Sequence, residues 1–174
     1  MRKVTYGAAC SLDGYIARVD NGVDWLRWTD DVQRLTSEYW KAVDTVFMGR
    51  KTYEVARASG SGAYPKVDNY VFSRTLTVDP EPQVRLVREN AGDFVAELKR
   101  NRGGEICVMG GGELARTLLE AELVDELGVN IHPVLLGQGI PLVPSLPRQI
   151  DLELLRFEPL SAGCLYALYR VTRR

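Results

Sequence analysis

The stretch Ile106-Cys107-Val108-Met109-Gly110-Gly111-Gly112-Glu113-Leu114 decides how this chain is read. An apolar run of strand character ends in three glycines where a helical pattern begins, over residues 113–121 with Leu114, Leu118 and Leu119 on one side. A buried strand that turns through glycine into a helix aims free backbone N–H groups, and the positive end of the helix dipole, at one point. That point suits a pyrophosphate. A tight turn that needs glycine only for positive φ or close packing reads the same way. The two readings stand level until the rest of the chain is weighed.

Other strand ends carry related chemistry. Residues 3–10 read as a buried strand that ends in the small pair Ala8-Ala9 and turns at Ser11-Leu12-Asp13-Gly14. Residues 44–48 form a second apolar strand, which breaks at Gly49-Arg50-Lys51-Thr52 as a helix starts. Two adjacent cations there oppose the helix dipole and are better placed beside a bound phosphate. The alternative is a solvated charge pair with Thr52 as N-cap. A third strand, residues 69–72, ends in Ser73-Arg74-Thr75.

The remaining segments complete an alternating pattern. Thr29 or Asp30 caps a helix with Val32, Leu35, Tyr39 and Trp40 on one face. Residues 84–87 make a short strand. Gly92-Asp93 then caps a helix with Phe94, Val95 and Leu98 inward, closed by Gly103-Gly104. Residues 123–136 read as one long strand before a loop at 137–141, and residues 150–157 and 164–171 alternate as an antiparallel pair. The count is about eight strands and four helices. It implies an α/β domain over residues 1–174 with a mixed, mostly parallel sheet covered on both faces.

Composition bounds the function. The chain has 174 residues, 45% hydrophobic and 26% charged, which is enough for one substantial core. A formal net charge of −1 offers no basic field for nucleic acid. No apolar run is long enough to span a bilayer and no secretory leader is visible, so a cytoplasmic protein is expected. Cys10, Cys107 and Cys164 each sit in apolar stretches and read as buried thiols, and no metal-ligand spacing is present. His132, the only histidine, reads as structural. Trp25 and Trp28 occupy a loop without clear periodicity, as core plugs or as the wall of a pocket.

In open sheets of this kind ligands bind beyond the carboxyl ends of strands. One phosphate-rich ligand accounts for all four strand ends together: the glycine turn takes a pyrophosphate, and Arg, Lys, Ser and Thr take a further phosphate, such as the 2′-phosphate that separates NADP from NAD.

Motifs along nearly the whole chain carry a family resemblance: residues 11–17 (Ser-Leu-Asp-Gly-Tyr-Ile-Ala), 24–26 (Asp-Trp-Leu), 46–54 (Val-Phe-Met-Gly-Arg-Lys-Thr-Tyr-Glu), 73–75, 108–112 and 132–142. In that order and spacing the chain resembles the dihydrofolate reductase superfamily, in the branch similar to the C-terminal reductase domain of the bifunctional riboflavin-biosynthesis deaminase-reductase. The resemblance implies a three-layer αβα sandwich around an eight-stranded mixed sheet, with a C-terminal antiparallel hairpin, and a homodimer. It implies NADPH as cofactor. The pyrophosphate is expected against Gly110, Gly111, Gly112, Glu113 and Leu114 and near Gly49 to Thr52. The ribose phosphate is expected at Arg50, Lys51, Ser73 and Arg74, and the nicotinamide near Ala8, Ala9, Ile16 and Ala17.

The substrate is less legible. Dihydrofolate reductases hold the pterin with a carboxylate in the helix before the Gly-Arg turn, and counting back from Gly49-Arg50 places Gln33 there. An amide cannot relay a proton as a carboxylate does. The zinc deaminase motif of the riboflavin enzymes is absent too. Asp13 is the candidate catalytic polar group at the pocket mouth, or simply part of an Asp-Gly turn. Asp24 and Trp25 are candidates for a substrate-contacting lid. The leading expectation is an NADPH-dependent reductase of a small heterocyclic or ribosylamino-pyrimidine substrate. Dihydrofolate reductase proper and a non-catalytic NADP-binding scaffold are the alternatives.

Overall fold

A computed structural model describes residues 1–60, 62–77 and 80–172. The first strand, β1 (Val4–Ser11), is followed by the short β2 (Tyr15–Ala17), α1 (Asp30–Trp40), β3 (Val43–Gly49), α2 (Arg50–Ala58), β4 (Asp68–Phe72) and β5 (Val84–Val87). Then come α3 (Ala91–Arg100), β6 (Glu105–Met109), α4 (Gly112–Glu120), β7 (Glu126–His132), β8 (Ile140–Pro141), β9 (Leu152–Pro159) and β10 (Leu165–Val171).

Eight strands form one sheet in the order β5-β4-β3-β6-β1-β7-β10-β9. Pairing is parallel from β5 through β7, and β10 runs antiparallel to both β7 and β9. This is the mixed, mostly parallel α/β sheet with a C-terminal antiparallel pair that the pattern implied.

Alternation along the strands sorts the core into two layers. On one face Val4, Tyr6, Phe47, Tyr70, Ile106 and Val108 pack against Val95 of α3 and Leu114, Leu118 and Leu119 of α4. Phe47, Phe72 and Phe94 meet edge to face there. On the other face Val46, Met48, Val71 and Cys107 pack under Tyr39 and Trp40 of α1 and Tyr53 of α2. All three cysteines are buried and unbridged. No helix among the described residues is long and apolar enough to cross a membrane.

Local chemistry moves several boundaries. Asn90, not Gly92-Asp93, caps α3: its side chain accepts from the N–H groups of both residues. That helix ends at Arg100, ahead of the glycine pair. The long strand of residues 123–136 shrinks to β7, because Pro133 has no N–H to continue the ladder. Helix α2 starts at Arg50 with Gly49 as its N-cap, one turn before the alternative cap at Thr52. A two-stranded sheet of β2 and β8, too short to carry a periodic signal, forms beside the main one.

The edge strand β9 leaves Leu152, Leu154, Leu155 and Phe157 exposed. An apolar free edge of this length invites pairing.

Candidate active site

Strands β3 and β6 are neighbours, so the helices that follow them, α2 and α4, begin side by side at the carboxyl edge. Both have glycine N-caps, Gly49 and Gly111, and neither cap side chain occupies the first-turn N–H groups. Gly110 and Gly111 take φ of +53° and +75°, which only glycine adopts readily. A Cβ on Gly111 would lie 3.4 Å from the Thr52 hydroxyl and 3.5 Å from the Gly49 nitrogen. The two turns therefore almost touch, and their free donors converge.

Around them lies a cleft of about 1710 Å³. Every residue expected around the cofactor lines it: Ala8 and Ala9 on β1, Ile16 and Ala17 on β2, Gly49 to Thr52, Ser73 and Arg74, and Gly110 to Leu114. The cations differ in freedom. Arg50 is held by Glu54 at 2.8 Å, while among the described residues no ion pair engages Lys51 or Arg74. Arg88, not among the residues expected there, joins them in the cleft wall and donates to the Leu76 carbonyl at 3.1 Å. Its signal was available, as a cation just past a strand end in the same register as Ser73-Arg74.

The expected catalytic and substrate residues are placed elsewhere. The Asp13 carboxylate accepts from the Ser11 hydroxyl at 2.6 Å and from the N–H groups of Leu136 and Gly137 at 3.1 and 2.8 Å. Those bonds, led by Ser11, lower its pKa, so it stays ionised and ties two loops together outside the cleft wall. Asp24 is exposed and pairs with Arg18 at 3.0 Å. Trp25 turns its indole N–H to the Gly22 carbonyl and stands edge-on to His132. From the same loop it is Val23, Leu26, Arg27 and Trp28 that reach the cleft, with Trp28 65% exposed at its mouth.

Gln33 is exposed on the outer face of α1. Val32 and Leu35 are the buried positions of that helix, packed on Leu160 and Cys164, and with Thr36 and Tyr39 they face the cleft. One residue along a helix turns the side chain by about 100°, which carries Gln33 away. Asp31 does not replace it: its carboxylate accepts from Thr29 and from the Ser161 N–H, contacts that lower its pKa. The inner face of α1 therefore presents Val32, Leu35, Thr36 and Tyr39 to the cleft, and the α1 carboxylate that lines it, Glu38, is paired with Arg34 at 3.4 Å.

His132 is 1% exposed, and its Nδ1 accepts the Arg27 N–H at 3.1 Å, so the imidazole is neutral and carries its proton on Nε2. It thereby anchors the loop over the cleft. Burial, aided by the Arg27 charge, lowers its pKa below the ordinary 6.5. A depressed histidine stabilises the fold fully above the unfolded value, and that contribution is lost as pH falls from about 6.5 toward the folded value. Tm is expected to drop on acidification through this window, and the drop should be smaller in His132→Asn, whose amide oxygen can accept the same N–H. Parallel Tm profiles for the two proteins between pH 7.5 and 5 would refute the anchor.

An open, mostly parallel α/β sheet with a glycine-lined cleft at its carboxyl edge is the architecture of the dihydrofolate-reductase-like proteins. The chain belongs to the family described as the RibD C-terminal domain, whose model matches residues 2–166. It is 35% identical over 156 residues to the Bacillus subtilis (strain 168) protein YwjB, whose own role is uncharacterised, covering 88% of this chain and 89% of that one. It is similar to the crystal structure of a candidate riboflavin biosynthesis protein of Shewanella sp. PV-4, with a TM-score of 0.85 at 26% identity, covering 98% and 99% of the two chains. Dihydrofolate reductase from Enterococcus faecalis, complexed with NADP(H), shares the fold with a TM-score of 0.70 at 17% identity over 98% and 97% of the chains.

Proposed function

We propose that this protein is an NADPH-dependent reductase of a small heterocyclic substrate of the ribosylamino-pyrimidine type. The observation that carries the reading is the pair of glycine-capped, uncapped-by-side-chain helix N-termini that meet at one end of the cleft, with Lys51 and Arg74 beside them. Those donors fit a pyrophosphate, and the cations fit a further phosphate. The Enterococcus enzyme, complexed with NADP(H), supports the same use of the fold.

In this reading Gly110 to Leu114 and Gly49 to Thr52 hold the pyrophosphate, Lys51, Ser73, Arg74 and Arg88 hold the 2′-phosphate, and Ala8, Ala9, Ile16 and Ala17 border the reacting ring. NADPH, when bound, supplies the hydride. The protein orients the two partners and excludes water beneath α1. Val32 and Thr36 on its inner face argue against dihydrofolate as the preferred substrate, because neither can pair with a protonated pterin.

The test is loss of NADPH absorbance with a 6-ribosylaminouracil and with dihydrofolate, offered separately. Turnover of the first and little of the second is expected, and the reverse order would overturn the reading. We also propose a homodimer that covers the apolar edge of β9, which sedimentation at the mass of two chains, and at one chain in Phe157→Glu, would bear out.

A further inference from the structure

Strand β8 joins two parts of the cleft wall that lie far apart in sequence. It pairs antiparallel with β2, Tyr15 against Pro141 and Ala17 against Ile140, and the Leu142 N–H continues the contact by donating to the Gly14 carbonyl at 2.8 Å. It also abuts the first turn of α4. A Cβ on Gly112 would lie 2.7 Å from the Pro141 carbonyl oxygen, 3.1 Å from that of Leu142 and 3.0 Å from the Pro144 ring. Gly112 lacks the positive φ of Gly110 and Gly111. What requires glycine at this third position is close approach, not backbone conformation.

Two more contacts fix the same segment. Gly139, just ahead of β8, faces β2 so closely that a Cβ would collide with the Ala17 carbonyl oxygen and meet the Tyr15 side chain at 3.3 Å. Tyr6 of β1, fully buried behind the cleft wall, donates its hydroxyl to the Leu142 carbonyl at 2.7 Å. Leu142 in turn packs on the core cluster that holds Tyr6 and Leu114.

A backbone held at these points, with no room for one methyl group toward either neighbour, transmits position, because packed interiors do not deform freely. The first turn of α4 cannot shift against β2 unless residues 139–142 repack. Ile16 and Ala17 of β2 and Gly110 to Leu114 line the same cleft from the two ends of this connection.

We infer that residues 139–142 form a strut that sets the spacing between the glycine turn of α4 and the Ile16-Ala17 edge of the cleft, with Tyr6, Gly112 and Gly139 as its positioning residues. For a dinucleotide with its pyrophosphate on the turn and its ring against β2, that spacing decides whether both ends seat at once. The inference rests on the proposed function for the ligand that spans the strut, and on the contacts above for the strut itself.

The test compares NADPH with 2′,5′-ADP, which carries the adenosine with its two phosphates and no nicotinamide, on the full chain and on Tyr6→Phe and Gly139→Ala. Neither change removes a donor or a cation from the cleft. In each variant the Kd for NADPH is expected to rise about fivefold to tenfold, while that for 2′,5′-ADP stays within about twofold, because only the whole dinucleotide needs the two ends in register. The fluorescence of bound NADPH, which reports the surroundings of its nicotinamide, should move toward that of the free cofactor. In the ligand-free variants, hydrogen exchange of the Leu142 N–H should quicken about tenfold relative to the Ala115 N–H, which is bonded to the Gly111 carbonyl at 3.0 Å. Tyr6→Phe keeps the buried ring, so it reports even where the more crowded Gly139→Ala fails to fold. Equal losses for the two ligands, unchanged NADPH affinity, or Leu142 exchange that keeps pace with Ala115 would overturn the strut. Absent NADPH binding by the wild-type protein, with the Leu142 response intact, would instead defeat the reductase reading and leave the strut standing.

Discussion

The Kd for NADPH is expected to rise about thirtyfold in Arg74→Ala while the Kd for NADH stays within a factor of two. A charge-assisted hydrogen bond to a phosphate contributes about 1.5–3 kcal/mol, and about 1.4 kcal/mol is tenfold in affinity. Only NADPH carries the 2′-phosphate, so only its affinity should respond. The structure also ranks the cations. Arg50 divides its guanidinium between the ligand side and the two Glu54 oxygens at 2.8 and 2.9 Å, and it stands 38% exposed. Arg74 and Lys51 carry no such partner among the described residues. Arg50→Ala should therefore cost less than Arg74→Ala, about threefold to fivefold, because solvent and Glu54 already screen it. Fluorescence titration of both cofactors against the two variants measures this directly. Equal affinity of the wild-type protein for NADPH and NADH would remove the 2′-phosphate site, and with it the assignment of Ser73, Arg74 and Arg88.

The glycine-turn end of the cleft was legible because it is made of turns. A turn at a strand's end is encoded by the residues within it: Gly110-Gly111-Gly112 and Gly49-Arg50-Lys51-Thr52 declare their backbone conformation and charge locally, and the parallel sheet then lines them up at one edge. The side of the cleft beneath α1 was not legible, because it depends on which way single side chains turn. Asp13 finds its partners at Leu136 and Gly137, more than a hundred positions away. Gln33 lost its place by one step of helix rotation, fixed by Val32 and Leu35 packing on Leu160 and Cys164. Asp24 and Trp25 alternate out of the cleft while their neighbours Val23, Leu26 and Arg27 enter it. Nor could β2 and β8 be seen, since three and two residues carry no period.

The largest loss of stability is expected from Asp125→Ala, about 3 kcal/mol. Lys99, near the end of α3, is 4% exposed, and its ammonium is bonded by the Asp125 carboxylate and by the Leu123 carbonyl at 3.1 Å. The same carboxylate accepts the Val4 N–H at 2.8 Å, so Asp125 joins α3, the start of β1 and the entry to β7 in one knot. Truncation leaves a buried ammonium with one carbonyl and orphans a backbone donor, each a named source of large destabilisation. The carboxylate's own side chain is 28% exposed, and water that enters the gap will soften the effect, which keeps the figure at the lower end of the range for buried pairs. For a chain of this length about 3 kcal/mol corresponds to a fall in Tm of roughly 6–12 °C. The double variant Lys99→Met with Asp125→Ala separates the two contributions. Removing the stranded charge as well should recover more than half of the loss, leaving chiefly the orphaned Val4 N–H. If the double variant were as unstable as the sum of the singles, the pair would not be coupled and the knot would owe its strength to Val4 alone. Because the knot lies at the start of β1 and the glycine turns proposed to hold the cofactor lie at the carboxyl edge of the sheet, the Asp125→Ala protein, while folded, should bind NADPH with unchanged Kd, which a titration well below its Tm checks.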